Sequence, residues 1–247
     1  MRTNERGRWL SWVLMAVLVP ALGHGSEPDQ LQVGRFSEMS AGAAVTDWEP
    51  LTFSRIASQT RYTLVNEGGR TVLRARSDAS ASGLVRKMVV DPTRYPILTW
   101  EWKIRNVLEK GDVTRKSGDD FAARIYITFA DDPQRRTFFQ RTKTAAIKLF
   151  YGVAPPSAAL AYVWGNRAEV GSIHPSAYTD RLRMIVVESG TAHLNQWRWA
   201  RRDVVADFRR AFGTDPPLIS GIAVMTDTDD TGESATAWYG DITLSRP

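Results

Sequence analysis

Alternation of apolar and polar residues at period two dominates the chain and restricts it to sheet structure. In "FAARIYITF" the residues Phe121, Ala123, Ile125, Ile127 and Phe129 are assigned to one face, with Arg124, Tyr126 and Thr128 on the other. "LTWEWKI" repeats the pattern, setting Leu98, Trp100, Trp102 and Ile104 against Thr99, Glu101 and Lys103. "RYTLVNEGGRTVLRARS" reads as two strands joined at Gly68–Gly69, and "SGLVRKMVV" gives another strand ahead of Asp91–Pro92. Further strands are expected at 160–164, 182–188, 219–225 and 236–244. Strands at this density, divided by turn residues, predict an all-β, antiparallel, jelly-roll-like sandwich rather than an α/β fold.

One short covering α-helix is expected at about 203–212. "DVVADFRRAFG" places Val204, Val205, Phe208, Ala211 and Phe212 on one face, with Asp203 as N-cap and Gly213 as the stop. A second helical turn is expected around 142–150, and "SDASAS" at 77–82 is a polar loop.

The N-terminus has a different logic. Arg2, Arg6 and Arg8 precede an apolar run from Trp9 to Leu22 and a small-residue stretch, the arrangement of a secretory signal peptide over residues 1–25. Residues 26–247 then form a single β-sandwich domain, periplasmic or secreted, with no integral membrane span after signal removal. The chain has no cysteine, which excludes a lipoprotein acyl site, a disulfide and a thiolate metal site. The formal charge of +5 falls to about +3 when the signal's three arginines and Glu5 leave, and the remaining charges are interleaved, so no nucleic-acid partner is expected.

"TDTDDTGE" supplies Asp227, Asp229 and Asp230 in one turn, a candidate metal set for calcium because hard cations take several oxygen ligands from a compact loop. An EF-hand would need Glu at the twelfth position from Asp227, where Trp238 stands. The alternatives are a structural turn and a polar ligand-binding loop, since Asp and Gly are also ordinary turn residues. Asp119 and Asp120 lead into the strand carrying Arg124; adjacent aspartates point in opposite directions, so one of them is expected to pair with Arg124. In "AYVWGN", Tyr162 and Trp164 share a strand face, either as core or as a stacking platform for a sugar.

Nucleophilic catalysis has little to draw on. His174 and His193 are the only histidines after the signal, both in expected loops, and no Gly-x-Ser-x-Gly elbow, phosphate loop or dinucleotide fingerprint is present.

The segments "GDVTRKSGDDFAARIYITF", "AYVWGN", "VVESG", "RRDVVADFRRAFG" and "GIAVMTDTDDTGESATAWYGDITL" together resemble the bacterial domain-of-unknown-function family 3047, in order, from about Phe36 onward. Where that family's pattern usually has Asn after the second loop aspartate, this chain has Asp230. The resemblance implies export and a single jelly-roll-like domain, and it brings no activity. The closing "WYGDITL" is also similar to the last strand of galactose-binding-like and other carbohydrate-binding sandwiches, a fold-level analogy.

These readings point to a non-catalytic binding domain for a carbohydrate or another cell-envelope ligand, with Asp119, Asp120, Arg124, Tyr162, Trp164, Asp227 and Asp229 as candidate ligand-binding residues. One alternative is a glycan-degrading hydrolase using two carboxylates drawn from Glu101, Asp119, Glu169 and Asp227. The other is an envelope protein–protein interaction domain.

Overall fold

The structure is a computed structural model that describes residues 28–130 and 157–247. The expected signal segment and the expected helical turn at 142–150 lie outside those residues. Two sheets face each other. The first runs β11 (Arg198–Asp203), β6 (Ile97–Ile104), β13 (Ser234–Ser245), β4 (Arg70–Asp78), β3 (Arg61–Glu67), with β1 (Gln30–Gly34) paired to the far half of β13. The second runs β2 (Glu49–Leu51), β5 (Ala81–Val90), β12 (Ile219–Asp227), β7 (Arg124–Phe129), β8 (Ala158–Gly165), β10 (Leu182–Ser189), β9 (Ile173–Pro175).

The alternation places the core between these sheets. Leu98, Trp100, Trp102 and Ile104 of β6 meet Ile125, Ile127 and Phe129 of β7, together with Leu160, Tyr162 and Trp164 of β8. Indole and phenol rings fill much of the gap, with Trp100 and Tyr162 centroids 5.2 Å apart and Trp102 and Trp164 6.0 Å apart.

Two expectations need correction. The strand at "FAARIYITF" begins only at Arg124, so strict alternation does not reach Phe121. Phe121 instead joins Val113, Ala161, Val163, Met184 and Val186 in a second apolar cluster. This leaves β8 buried on both faces, which explains its continuous apolar sequence. The sandwich is also not wholly antiparallel, because β10 pairs with β8 in parallel, from Leu182 opposite Ala159 to Ser189 opposite Gly165. The connection 166–181 is long enough to return the chain to the start of β8, and β9 within it pairs back onto β10.

The expected helix is α1 (Val204–Phe212). Asp203 accepts a hydrogen bond from the Ala206 N–H at 2.9 Å, and Gly213 ends the helix at φ +74°, a left-handed conformation that glycine adopts without a Cβ clash. Phe208 packs on Phe129 with ring centroids 4.6 Å apart, so the helix covers the end of the sandwich where β7 finishes. That leaves the beginning of β7, at Arg124, for the opposite end. Among the described residues no helix is long and apolar enough to cross a membrane.

Candidate ligand-binding site

At the end away from α1, β12 runs alongside β7, with Met225 opposite Arg124. Asp227, the last residue of β12, therefore meets the segment that enters β7. Its backbone N–H donates to the Phe121 carbonyl at 3.2 Å, and its Oδ1 accepts from the Phe121 N–H at 3.3 Å. Arg124 lies under this turn, only 3% exposed. Its Nε donates to Asp227 Oδ1 at 2.8 Å, and its Nη2 donates to Asp227 Oδ2, making a two-pronged pair. Nη1 donates to Asp119 Oδ1 at 3.1 Å and to the Tyr126 hydroxyl at 3.2 Å. The guanidinium also sits 4.4 Å from the Phe121 ring centroid.

Asp120, in the irregular segment ahead of β7, points the other way. Its Oδ2 accepts from the Thr231 N–H at 2.6 Å, and its carbonyl accepts from Asn166 Nδ2 at 3.0 Å. Asp229 and Asp230 are half-buried above it. Asp230 accepts a hydrogen bond from the Tyr178 hydroxyl, and Lys116 Nζ lies 4.7 Å from the Tyr178 ring centroid. One oxygen each from Asp120, Asp227 and Asp229 falls within 4.8 Å of the others. The carboxylate grouping thus includes Asp120, from the other side of the turn, while Asp230 faces Tyr178.

The loop itself is firmly tied. The Thr228 N–H donates to the Ser80 carbonyl at 2.9 Å, and the Gly232 N–H donates to the Thr228 carbonyl at 2.9 Å, with Gly232 at φ +69°. The Glu233 carboxylate accepts the N–H groups of Glu109 at 3.0 Å and Lys110 at 2.8 Å.

Burial disturbs these charges. Burial pushes the Asp227 carboxyl up, Arg124 pulls it back down, and Asp120 raises it again. Asp229 is pushed up to about 6 by burial, then by the carboxylates of Asp120 and Asp230. Burial opposes the charge on Arg124, yet Asp227, Tyr126 and Asp119 outweigh it and hold the guanidinium protonated.

Tyr162 and Trp164 are not available to a sugar. They are 0% and 1% exposed, enclosed in the inter-sheet core. The Tyr162 hydroxyl donates to Asp207 Oδ2 at 2.9 Å, and Trp164 Nε1 donates to the Gly190 carbonyl at 3.2 Å, so the polar tips are satisfied internally. The expected stacking role gives way to packing because both residues lie on the face of β8 turned toward the first sheet. Glu101 and Glu169 stand apart from the aspartates. Glu101 pairs with Arg70, and Glu169 lines a cavity of about 270 Å³ with Asn166, Ser172 and His174. His174 sits in β9, not in a loop, with Nε2 2.9 Å from Ser172 Oγ; His193 Nδ1 lies 3.0 Å from Glu188 Oε2.

Besides Tyr178, which is 41% exposed beside Asp230, aromatic surface reaches solvent on another part of the molecule. On the outer face of the first sheet, Trp199 is 62% exposed and stands opposite Glu101 across the β11–β6 pair. Trp197, two residues earlier, is half-buried, and Arg70 lies 4.5 Å from its ring centroid. Lys103 lies between Trp197, at 5.3 Å, and Trp238, at 4.5 Å. Its ammonium donates to Glu67, while Arg70 Nη1 donates to Glu101 Oε1 at 3.1 Å. Sequence reasoning passed over this face. The signal was Trp197 and Trp199 at period two, hidden because β11 was not expected.

A two-sheet sandwich with one end-covering helix and a carboxylate–arginine cluster at the opposite end is the class of protein defined by this geometry. A family model described as a protein of unknown function, DUF3047, matches residues 46–243, and the chain belongs to that family. No curated protein matches it. Among solved structures, the chain is similar to the family 11 carbohydrate-binding module of the cellulosomal cellulase Lic26A-Cel5E of Clostridium thermocellum, at 11% identity and TM-score 0.42, covering 90% of this chain and 97% of that one. It is also similar to the family 30 carbohydrate-binding module of the cellulosomal cellulase Cel9D-Cel44B of Clostridium thermocellum, at 11% identity and TM-score 0.40, covering 88% and 97%. A family GH12 endoglucanase 3 of Trichoderma harzianum is similar at 10% identity and TM-score 0.37, covering 83% and 100%. Likenesses this distant decide nothing about ligand or activity.

Proposed function

We propose that the chain is an exported, non-catalytic binding domain for carbohydrate, with the ligand lying on the outer face of the first sheet. The observation that carries this reading is Trp199, 62% exposed on the outer face of β11 and opposite Glu101 of the Arg70–Glu101 pair. A pyranose offers a flat C–H face and a rim of hydroxyls. An indole suits the first by apolar contact, and a carboxylate or guanidinium held in place suits the second through directional hydrogen bonds. The ring needs no rearrangement of the sheet to be reached, which limits the ordering cost of binding.

The aspartates at the other end are less suited to direct sugar contact, since Asp119, Asp120, Arg124 and Asp227 are all 5% exposed or less. Export is supported by the arginines ahead of the Trp9–Leu22 run and is tested by fractionating the expressing cells and sequencing the N-terminus of the recovered protein.

For the binding itself, the test is isothermal titration against a panel of soluble polysaccharides, comparing the wild type with Trp199→Ala. Binding that drops at least tenfold in the variant is expected, with no new reducing ends. Retention of full affinity by Trp199→Ala would remove this face as the site. Release of reducing ends would replace the binding reading with the hydrolase one.

A further inference from the structure

The buried end of the molecule carries a separate feature, independent of the aromatic face. Asp120 is 0% exposed, and with Oδ2 taken by the Thr231 N–H its Oδ1 is enclosed with no hydrogen-bond partner among the described residues. A buried carboxylate oxygen in that condition is rare and unfavourable. It belongs to the group in which Asp120, Asp227 and Asp229 each bring one oxygen within 4.8 Å of the others.

We propose that Asp120, Asp227 and Asp229 bind a calcium ion that clamps the 227–230 loop onto the segment entering β7.

The charges support a cation. Asp119, Asp120, Asp227, Asp229 and Asp230 gather around one buried guanidinium, Arg124, with Lys116 and Lys110 as exposed cations nearby, the Lys110 ammonium spent on the Thr231 carbonyl at 3.1 Å. Arg124 directs its hydrogen bonds to Asp119, Asp227 and Tyr126, and none to Asp120 or Asp229. Those two carboxylates are left facing one another, with ligand oxygens within 4.8 Å. Arg124 does not bar Asp227 from ligation: Oδ1 is taken by Arg124 Nε and the Phe121 N–H, but Oδ2 accepts only from Arg124 among the described residues and keeps one lone pair for an ion.

The donor set selects a hard cation, since it contains only carboxylate oxygens. Calcium at about 2.3–2.6 Å from its ligands places oxygens up to about 5 Å apart, whereas a magnesium octahedron draws opposing oxygens to about 4.2 Å. Magnesium also keeps most of its waters and takes about one or two carboxylates, a poor match to three that are largely enclosed.

The test uses the full chain after chelator treatment, titrated with calcium chloride by calorimetry and followed by thermal midpoint. Binding of a single ion is expected, with the midpoint rising by about 5–10 °C at a hundredfold excess over the dissociation constant. Asp229 is half-buried, so Asp229→Asn is expected to fold with the chelated wild-type midpoint and to lose at least tenfold in affinity. Asp230→Asn is expected to lose much less, because that carboxylate faces Tyr178. Absence of heat and of any midpoint shift up to about 10 mM calcium, above the range of weak extracellular modules, would overturn the site. Unchanged affinity in Asp229→Asn, or equal losses in the two variants, would overturn the ligand set, and tighter binding of magnesium would overturn the choice of ion. Sugar titrations read a different face, so failure of one proposal leaves the other standing.

Discussion

The two ends of the functional argument use the same residue types in opposite ways. At the start of β7, Arg124 and its aspartates are sealed under a turn, and every strong contact is internal. On the outer face of the first sheet, Arg70 pairs with Glu101 and lies over the half-buried Trp197, with Trp199 exposed beside them, while Lys103 and Trp238 are buried. Burial decides which is which. Desolvation makes the first cluster energetically critical and chemically inaccessible, whereas solvent screening makes the second weak in stability and open to ligand.

That contrast can be attacked in order of expected effect. Arg124→Ala leaves Asp119 and Asp227 enclosed without a counter-charge and is expected to destabilise the fold by about 3–5 kcal/mol in urea unfolding. A loss below about 1 kcal/mol would mean that water enters the cluster and the contrast fails. Tyr239→Phe removes a buried hydroxyl that donates to the Met225 carbonyl at 2.7 Å and accepts from the Arg124 N–H at 3.3 Å, for an expected loss of about 1–3 kcal/mol in the same experiment. It would sharpen the contrast by showing that the network supporting Arg124 shares its stability.

Arg70→Ala on the open face breaks the Arg70–Glu101 pair, whose side chains are 36% and 32% exposed, so the cost should stay within about 1 kcal/mol. Its larger effect is expected in sugar titrations, since Trp197 loses the nearer of the two cations beside its ring. Trp199→Ala should move stability by no more than about 0.5 kcal/mol while removing ligand affinity. Substantial destabilisation here would indicate that the indole is structural after all.

Part of the fold was legible because burial imposes a period on the chain. The long strands β3 to β6, β8, β10, β12 and β13 each carried a readable apolar face or run, and α1 carried both caps in its sequence. The strands that escaped were β1, β2, β9 and β11. Three of these are no longer than five residues, too short to show a period. Of the inward positions of β11, only Ala200 is an apolar core residue, while Arg198 and Arg202 pair with Glu188 and Asp207, so its core-facing side shows no apolar run. An edge strand whose inward face alternates paired charges with a single small apolar residue gives no hydrophobic alternation to read.

The site was legible to a lesser degree. Asp119, Asp120, Arg124, Asp227 and Asp229 stood out by type, and the structure brings them together. Tyr162 and Trp164 stood out equally, yet they are core, because alternation states that two residues share a face without stating which face meets water.

By itself, then, the amino-acid order determined strand-rich architecture, the capped helix and the turn chemistry around Gly232, since these follow from local periodicity and backbone preference. Only tertiary structure decided that Asp120 rather than Asp230 joins Asp227 and Asp229, and that Trp199 rather than Trp164 meets solvent. Both outcomes depend on which strands become neighbours and which faces are covered. Those contacts are long-range, and no local pattern encodes them.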